Sequence, residues 1–188
     1  DRAIDLRNII SETMESIFGP THFLTLKEYE RLSFAYRSSG DIESALGILG
    51  YVCGVYDSVI ANFHPEALKC HSILATFFLE RGDLSRAYEA REKIAGDFNF
   101  LGKESDPHAV ENLIDLAELI RQKGDLEEAE KLLGKTIDLS KTKGYKALER
   151  KASSYLSRVY VDSGDLKKAS IVLKDLVMEL HKDGLDET

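Results

Sequence analysis

Few side chains in this sequence combine the types and the spacing that nucleotide chemistry requires. A phosphate-binding loop ends in glycine, lysine and a hydroxyl residue, and Gly134-Lys135-Thr136 has that order. The loop also needs a glycine five residues earlier, where Ala129 stands instead. A second stretch, Gly102-Lys103-Glu104, has a glutamate in place of the hydroxyl residue. We therefore expect no nucleotide site and no cofactor.

The sequence offers no pattern of residues for a metal site or for nucleophilic catalysis. It contains no His-Glu-x-x-His, no Cys-x-x-Cys and no Gly-x-Ser-x-Gly. His22 and His64 stand 42 residues apart, each just before a predicted helix, which favours a capping or loop-packing role. We expect neither a metal site nor an enzyme.

Charge and cysteine content restrict the classes of partner and the compartment. The net charge of −8 argues against nucleic acids and anionic membranes as partners, because both require a basic face. No apolar run approaches the roughly 20 residues of a membrane span. Cys53 and Cys70 fall at different positions of a repeat, so we expect unbridged thiols and a cytoplasmic protein. The start at Asp1, without a methionine, suggests a segment of a longer protein.

A repeat of about 42 residues organises the chain. Four Gly-Asp pairs recur in register, with spacings of 42, 42 and 40 residues, and four further columns keep register with them. A leucine stands eight residues before each glycine, a small residue seven before, a large apolar residue four before and an alanine five after. The turn glycines are Gly40, Gly82, Gly124 and Gly164, and the alanines are Ala45, Ala87, Ala129 and Ala169.

Each repeat is predicted to be a pair of antiparallel helices, here called leading and trailing. The apolar columns form one stripe of a helix, the glycine ends the leading helix, and the aspartate caps the trailing helix. The alanine and the small residue mark where the two helices approach closely. Residues 1–18 form the trailing helix of a truncated repeat, because Ala3 lies 42 residues before Ala45, and 183–188 form a tail. We predict an all-α, right-handed α-solenoid that spans 1–188 as one array.

These columns resemble the tetratricopeptide repeat (TPR), and the 42-residue period resembles the longer repeats of kinesin light chains. The resemblance implies a concave groove that binds a peptide or protein. Kinesin-type repeats place asparagines one residue before the leucine column. This chain instead has Arg31, Ile73, Asp115 and Tyr155 there. Shorter-repeat relatives carry a lysine/asparagine clamp for a terminal carboxylate. The matching residues here do not supply it; they are Glu30, Phe34, Ser72 and Thr76.

By this resemblance, one face of each leading helix lines the groove. We expect the chain to be a scaffold that binds an acidic and apolar protein segment, anchored by Arg31, Phe34 and Arg37. The alternative is a structural or oligomerisation segment of a longer superhelix. It would use apolar terminal helices that include Ile10 and Leu173. The predicted partner-binding residues are Lys27, Arg31, Phe34, Arg37, Lys69, Thr76, Leu79, Glu118, Arg121, Tyr155 and Arg158.

Overall fold

The computed structural model describes residues 2–60, 64–182 and 184; of the predicted tail, only Gly184 falls among them. Within these ranges the chain forms nine α-helices and no strand, so the prediction of an all-α fold is confirmed. The trailing helices are α1 (Arg2–Phe18), α3 (Ile42–Val59), α5 (Leu84–Phe100), α7 (Leu126–Lys143) and α9 (Leu166–Lys182). The leading helices are α2 (Phe23–Ser38), α4 (Pro65–Glu80), α6 (Pro107–Gln122) and α8 (Lys146–Asp162).

The four Gly-Asp pairs that keep the repeat register form the turns inside the repeats. Each glycine has a positive φ, between 81° and 94°, a conformation that only glycine adopts without strain. Each aspartate then accepts a hydrogen bond from the backbone N–H three residues later, as from Ser44 to Asp41 at 3.0 Å and from Glu128 to Asp125 at 3.0 Å. This bond satisfies one of the free N–H groups at the start of the trailing helix.

The leading helices begin with a second type of cap. The Nδ1 atoms of His22 and His64 accept hydrogen bonds from the N–H groups of Leu24 and Glu66, both at 3.2 Å. The capping role predicted for these histidines is therefore confirmed. Pro65 occupies the first turn of α4, where its missing N–H leaves no bond unmade.

Small residues allow the two helices of a repeat to approach closely. The alanine five residues after each turn glycine is buried in all four repeats, with at most 3% of its surface exposed. The small residue seven before the glycine is buried as well; these residues are Ser33, Ala75, Ala117 and Ser157.

The chain divides into two compact units, one up to Ala90 and one from Arg91 onward. The core of the first unit contains Leu49, Tyr56 and Phe77. In the second unit, Ile114 and Leu133 are fully buried. The single array over 1–188 stays a prediction.

A contact at the same repeat positions recurs between a trailing helix and the next leading helix in three helix pairs. Arg7 pairs with Glu28 at 2.5 Å, the Sγ atom of Cys70 lies 3.8 Å from the carbonyl oxygen of Leu49, and Arg91 donates to Asn112 at 3.3 Å. We call the repeat position of Arg7, on the trailing helix, the trailing seam position. The repeat position of Glu28, on the leading helix, is the leading seam position. Trailing seam residues are Arg7, Leu49, Arg91, Leu133 and Leu173. Leading seam residues are Glu28, Cys70, Asn112 and Ala152.

The prediction that Cys53 and Cys70 are unbridged is wrong, because they form a disulfide with their Cα atoms 5.5 Å apart. Cys70 occupies the leading seam position, and Cys53 lies one helical turn beyond the trailing seam residue Leu49. Different repeat positions meet because α3 and α4 run antiparallel. Free thiols were the basis for a reducing compartment, so the cytoplasmic placement loses that support and stays a prediction.

We predict that loss of this disulfide destabilises the first unit. Cys53 and Cys70 are 17 residues apart. Closing a loop of that size should contribute about 3 kcal/mol by restricting the unfolded chain. Chemical denaturation with and without a dithiol reductant measures the difference, and the Cys53→Ala/Cys70→Ala double variant should be insensitive to the reductant. Two thiols that react in the folded, unreduced protein would contradict the bridge.

Candidate protein-binding surfaces

An ion pair joins the leading helices α2 and α4 of the first unit. Arg37 donates two hydrogen bonds to Glu80, at 2.6 and 2.5 Å, and its guanidinium carbon lies 5.3 Å from the centre of the Phe77 ring. Phe34 contacts the same ring edge to face at 5.5 Å. Hydrogen bonds to Glu80 raise the pKa of Arg37. Arg37 therefore holds two helices together, and its charge is balanced within the chain.

Lys27 is also paired inside the first unit. Its ammonium group contacts Glu30, at 3.0 Å, and Glu66, and it lies 5.8 Å from the centre of the Tyr56 ring. Burial alone would lower the pKa of Lys27, but hydrogen bonds to Glu66 and Glu30 outweigh it and raise the pKa. Tyr56 donates to the buried Glu30 at 3.0 Å. Lys27 is thus part of a half-buried polar network rather than an exposed anchor.

On the face of α2 that carries Lys27 and Arg37, the exposed side chains are those of Arg31 and Phe34. The Arg31 side chain is 65% exposed and is held at 3.2 Å by the buried Glu28, while Phe34 is 37% exposed. On α4, Lys69 and Leu79 are exposed, whereas Thr76 is partly buried and donates to the carbonyl of Ser72. Lys69, Thr76 and Leu79 follow Lys27, Phe34 and Arg37 by 42 residues each, so they occupy the same face of their helix. We call Arg31, Phe34, Lys69 and Leu79 the unit 1 surface.

The second unit repeats the ion pair at the same repeat positions. Arg121 donates two hydrogen bonds to Glu118, both 2.8 Å, and also contacts Asp162. Hydrogen bonds to Glu118 raise the pKa of Arg121. Arg121 and Asp162 stand 41 residues apart, as Arg37 and Glu80 stand 43 apart. A base on one leading helix and an acid on the next thus connect neighbouring repeats in each unit.

The remaining predicted residues of the second unit join the same network. The guanidinium carbon of Arg158 lies 5.1 Å from the Tyr155 ring, and Arg158 Nη1 lies 3.9 Å from Glu118. Lys151 pairs with Glu111 at 3.1 Å and with Asp115 at 2.9 Å. The acids of the third repeat are therefore balanced by bases of the fourth, and this face offers little uncompensated charge.

The structure brings the predicted residues together within each unit but changes the role of several. Lys27, Arg37, Glu118 and Arg121 are partners of residues in this chain. The sequence analysis assigned these residues to partner binding without pairing them within the chain. The near-42-residue separation of each base and acid was the signal that could have shown the pairs.

The described residues also bear on whether the chain holds a metal ion or crosses a membrane. Among the described residues, no group of three or more His, Cys, Asp or Glu side chains is placed to hold a metal ion. In the same part of the chain, no helix has the length and apolar character needed to cross a membrane.

We predict that Glu118 stabilises the second unit only while it is charged. Burial acts to raise its pKa from the ordinary value of 4.5, but hydrogen bonds from Arg121 and Gln122 outweigh this and lower the pKa. The contribution is therefore present above about pH 4.5 and is lost as the pH falls through the lower, folded-state pKa. Glu118→Gln should reduce the free energy of unfolding by about 1.5 kcal/mol at pH 7 and by progressively less in acid.

Chemical denaturation across this pH range measures the effect, and Glu104→Gln, at an exposed turn residue, is the control. Equal losses for Glu118→Gln at neutral and acid pH would mean that the charge of Glu118 does not stabilise the fold.

This chain has distant relatives in sequence. No family model matches the chain. Over 140 residues it is 25% identical to a clustered mitochondria protein homolog of Meyerozyma guilliermondii, a match that covers 74% of this chain and 11% of that protein. The chain thus spans only a small part of the length of the curated relatives it matches.

Solved structures are similar over nearly the whole chain. The nearly identical TPR-like repeats assigned to a kinesin light chain of Podosopora anserina match with a TM-score of 0.85 and 19% identity, covering 97% of this chain and 87% of that one. BtubC (BKLC) from P. vanneervenii matches with a TM-score of 0.77 and 16% identity, covering 98% of this chain and 76% of that one. The chain therefore has the TPR-like α-solenoid fold that its repeat columns predicted, similar to that of kinesin light chain repeats.

Proposed function

We propose that this chain is a scaffold that binds an acidic and apolar segment of another protein on the unit 1 surface. The TPR-like fold fits a protein-interaction scaffold in general and is generally not enzymatic. The observation that carries the finer proposal is the exposed aromatic ring of Phe34 beside exposed Arg31. Aromatic and arginine side chains are the residues that most often dominate a binding interface.

Rigid support makes Phe34 a suitable anchor. Its ring rests edge to face on the fully buried Phe77, which also contacts Arg37. Because the Arg37–Glu80 ion pair fixes the two helices around this ring, little side-chain entropy is lost when a partner covers it.

Charge favours an acidic partner at this surface. Arg31 and Lys69 are exposed bases on a chain whose net charge is −8. An acidic segment is repelled by most of the molecule and attracted here, which favours one binding position over others. The second unit has its own candidate surface at the equivalent repeat positions, where Tyr155 and Arg158 stack, but its balanced charges suit a partner less.

The second candidate is a structural role within a longer array, and the apolar terminal helices favour it. Leu6, Ile10 and Ile17 of α1 are exposed, as are Leu173 and Val177 of α9. The stretch shared with this chain is 11% of the length of the clustered mitochondria protein homolog. That protein is therefore about nine times longer than the shared stretch. Contacts at these ends would then determine the function, and the unit 1 surface would contribute no affinity.

We predict that Phe34→Ala weakens binding of an acidic, apolar peptide without unfolding the chain. The measurement is fluorescence anisotropy with two short labelled peptides of equal apolar content, one rich in Glu and one with Lys at the same positions. Loss of the ring should weaken binding of the Glu peptide by about 2 kcal/mol, or roughly 30-fold. Arg31→Glu should reduce binding of the Glu peptide and not of the Lys peptide.

Tyr51→Ala is the matched control, because Tyr51 is a 46% exposed aromatic on the trailing helix α3 of the same unit. Equal affinity of wild type and Phe34→Ala, or a preference for the Lys peptide, would contradict the proposal and favour the structural role.

A further inference from the structure

Basic side chains concentrate at the turn between α7 and α8. Lys141, Lys143, Lys146 and Arg150 stand within residues 141–150, where Glu149 is the one acid of the sequence. This stretch has a net charge of +3, while the rest of the chain has −11. The Lys141 side chain is 59% exposed, Lys143 and Lys146 are exposed, and Arg150 is half-buried. We call these four bases the basic turn.

The repeat does not account for the basic turn. At the equivalent repeat positions of the three earlier turns between a trailing helix and the next leading helix, the sequence has no lysine or arginine. The equivalents of Lys146 are His22, His64 and Asp106, which cap their helices. The equivalents of Arg150 are buried leucine or valine residues. The four bases are therefore particular to this turn.

Helix stability favours only part of this arrangement. Lys141 and Lys143 lie in the last turn of α7, where the helix macrodipole stabilises a base. Lys146 lies in the first turn of α8, where the macrodipole has the opposite sign and disfavours a base. Residues that oppose local stability are expected at functional sites, so Lys146 indicates a role in binding rather than in folding.

The backbone of the turn is fixed. Only Gly144 and Tyr145 separate α7 from α8, and Gly144 has a φ of 74°. The N–H of Tyr145 donates to the carbonyl oxygen of Ser140 at 2.8 Å. The phenol of Tyr145 donates to the carbonyl oxygen of Ser105, in the preceding turn, at 3.1 Å. Because the bases are carried by an ordered backbone, little backbone entropy is lost when a partner binds.

We propose that the basic turn binds a hydrophilic, acidic segment of a partner protein. This surface is separate from the unit 1 surface, and its four residues are all bases, so the segment needs acids rather than apolar residues. Glu127 and Glu128 lie at the start of α7, about 22 Å from Lys143 along the helix. Salt screens exposed charges beyond about 8 Å. A short acidic segment can therefore occupy the basic turn without being repelled by these acids.

The extent of the basic turn favours a protein segment over a nucleic acid or an anionic bilayer. Both of those continue their negative charge well beyond one turn and would meet the rest of the chain, whose net charge is −11. A segment with about three clustered acids complements the charge of the turn alone. Three of the four bases are lysines, whose ammonium groups are point charges, so the surface selects for negative charge rather than for the planar geometry that arginine recognises.

The test uses the full chain and two labelled peptides without apolar residues, one with clustered glutamates and one with glutamines at the same positions. Fluorescence anisotropy at low salt should show binding of the Glu peptide and none of the Gln peptide. Lys143→Gln/Lys146→Gln should weaken binding of the Glu peptide roughly fivefold or more, because two exposed charge interactions are lost. The control is Lys131→Gln/Lys167→Gln, which removes two exposed lysines away from the turn and should leave the affinity nearly unchanged.

A gain of affinity is a second expected result. Glu149→Gln removes the one acid of the stretch, whose carboxylate lies 3.8 Å from the Lys141 ammonium group. It should tighten binding of the Glu peptide about twofold at low salt. The gain should disappear in 1 M salt, where charges are screened beyond about 3 Å. Phe34→Ala should leave all of these affinities unchanged, so failure here is distinct from failure of the unit 1 surface.

Three results would overturn the proposal. The first is no binding of the Glu peptide to the wild-type chain at millimolar concentration. The second is an equal loss in the two double variants, or a loss rather than a gain in Glu149→Gln. The third is tighter binding of equimolar phosphatidylserine and phosphatidylcholine vesicles, or of a single-stranded oligonucleotide, that Lys143→Gln/Lys146→Gln abolishes. That result would assign the basic turn to a lipid surface or to a nucleic acid.

Discussion

The contact between a trailing helix and the leading helix that follows it is the constraint on which the rest of this structure depends. A helical pair with one apolar stripe cannot bury that stripe alone, so the next helix has to cover it. The seam residues meet across this contact, as Arg7 meets Glu28 at 2.5 Å. At the α3–α4 seam the approach is close enough for Cys53 and Cys70 to form a disulfide.

The chain satisfies this constraint with different chemistry at different seams. The α1–α2 seam uses an ion pair between Arg7 and the buried Glu28, and the α7–α8 seam uses Leu133 and Ala152. A buried charge requires a partner, whereas an apolar seam requires only matched volume. A charged residue at one seam position therefore requires a polar partner at the other, and a leucine requires a neighbour of matched volume.

The sequence alone was sufficient for the features that local chemistry determines. Gly40 and Asp41 predicted a turn and a cap because glycine adopts positive φ and aspartate accepts the free N–H groups of a helix start. Ala45 and its equivalents predicted close packing because a small side chain allows two helices to approach closely. The disulfide was missed because the positions of Cys53 and Cys70 were compared along the repeat, whereas antiparallel neighbours pair different positions. Arg37 was taken for an exposed anchor because Glu80, 43 residues later, is its partner only once two leading helices lie side by side.

The seam account is tested most directly by converting a polar seam into an apolar one. Arg7→Leu alone leaves the buried Glu28 with Arg31 as its remaining partner, and should reduce the free energy of unfolding by about 2 kcal/mol. Glu28→Ala alone should also destabilise, because Arg7 loses its partner. The double variant Arg7→Leu/Glu28→Ala reproduces the pair at Leu133 and Ala152, and chemical denaturation should show it to be more stable than either single variant. A double variant whose loss equals the sum of the two single losses would show that the seam residues act independently, and would contradict the account.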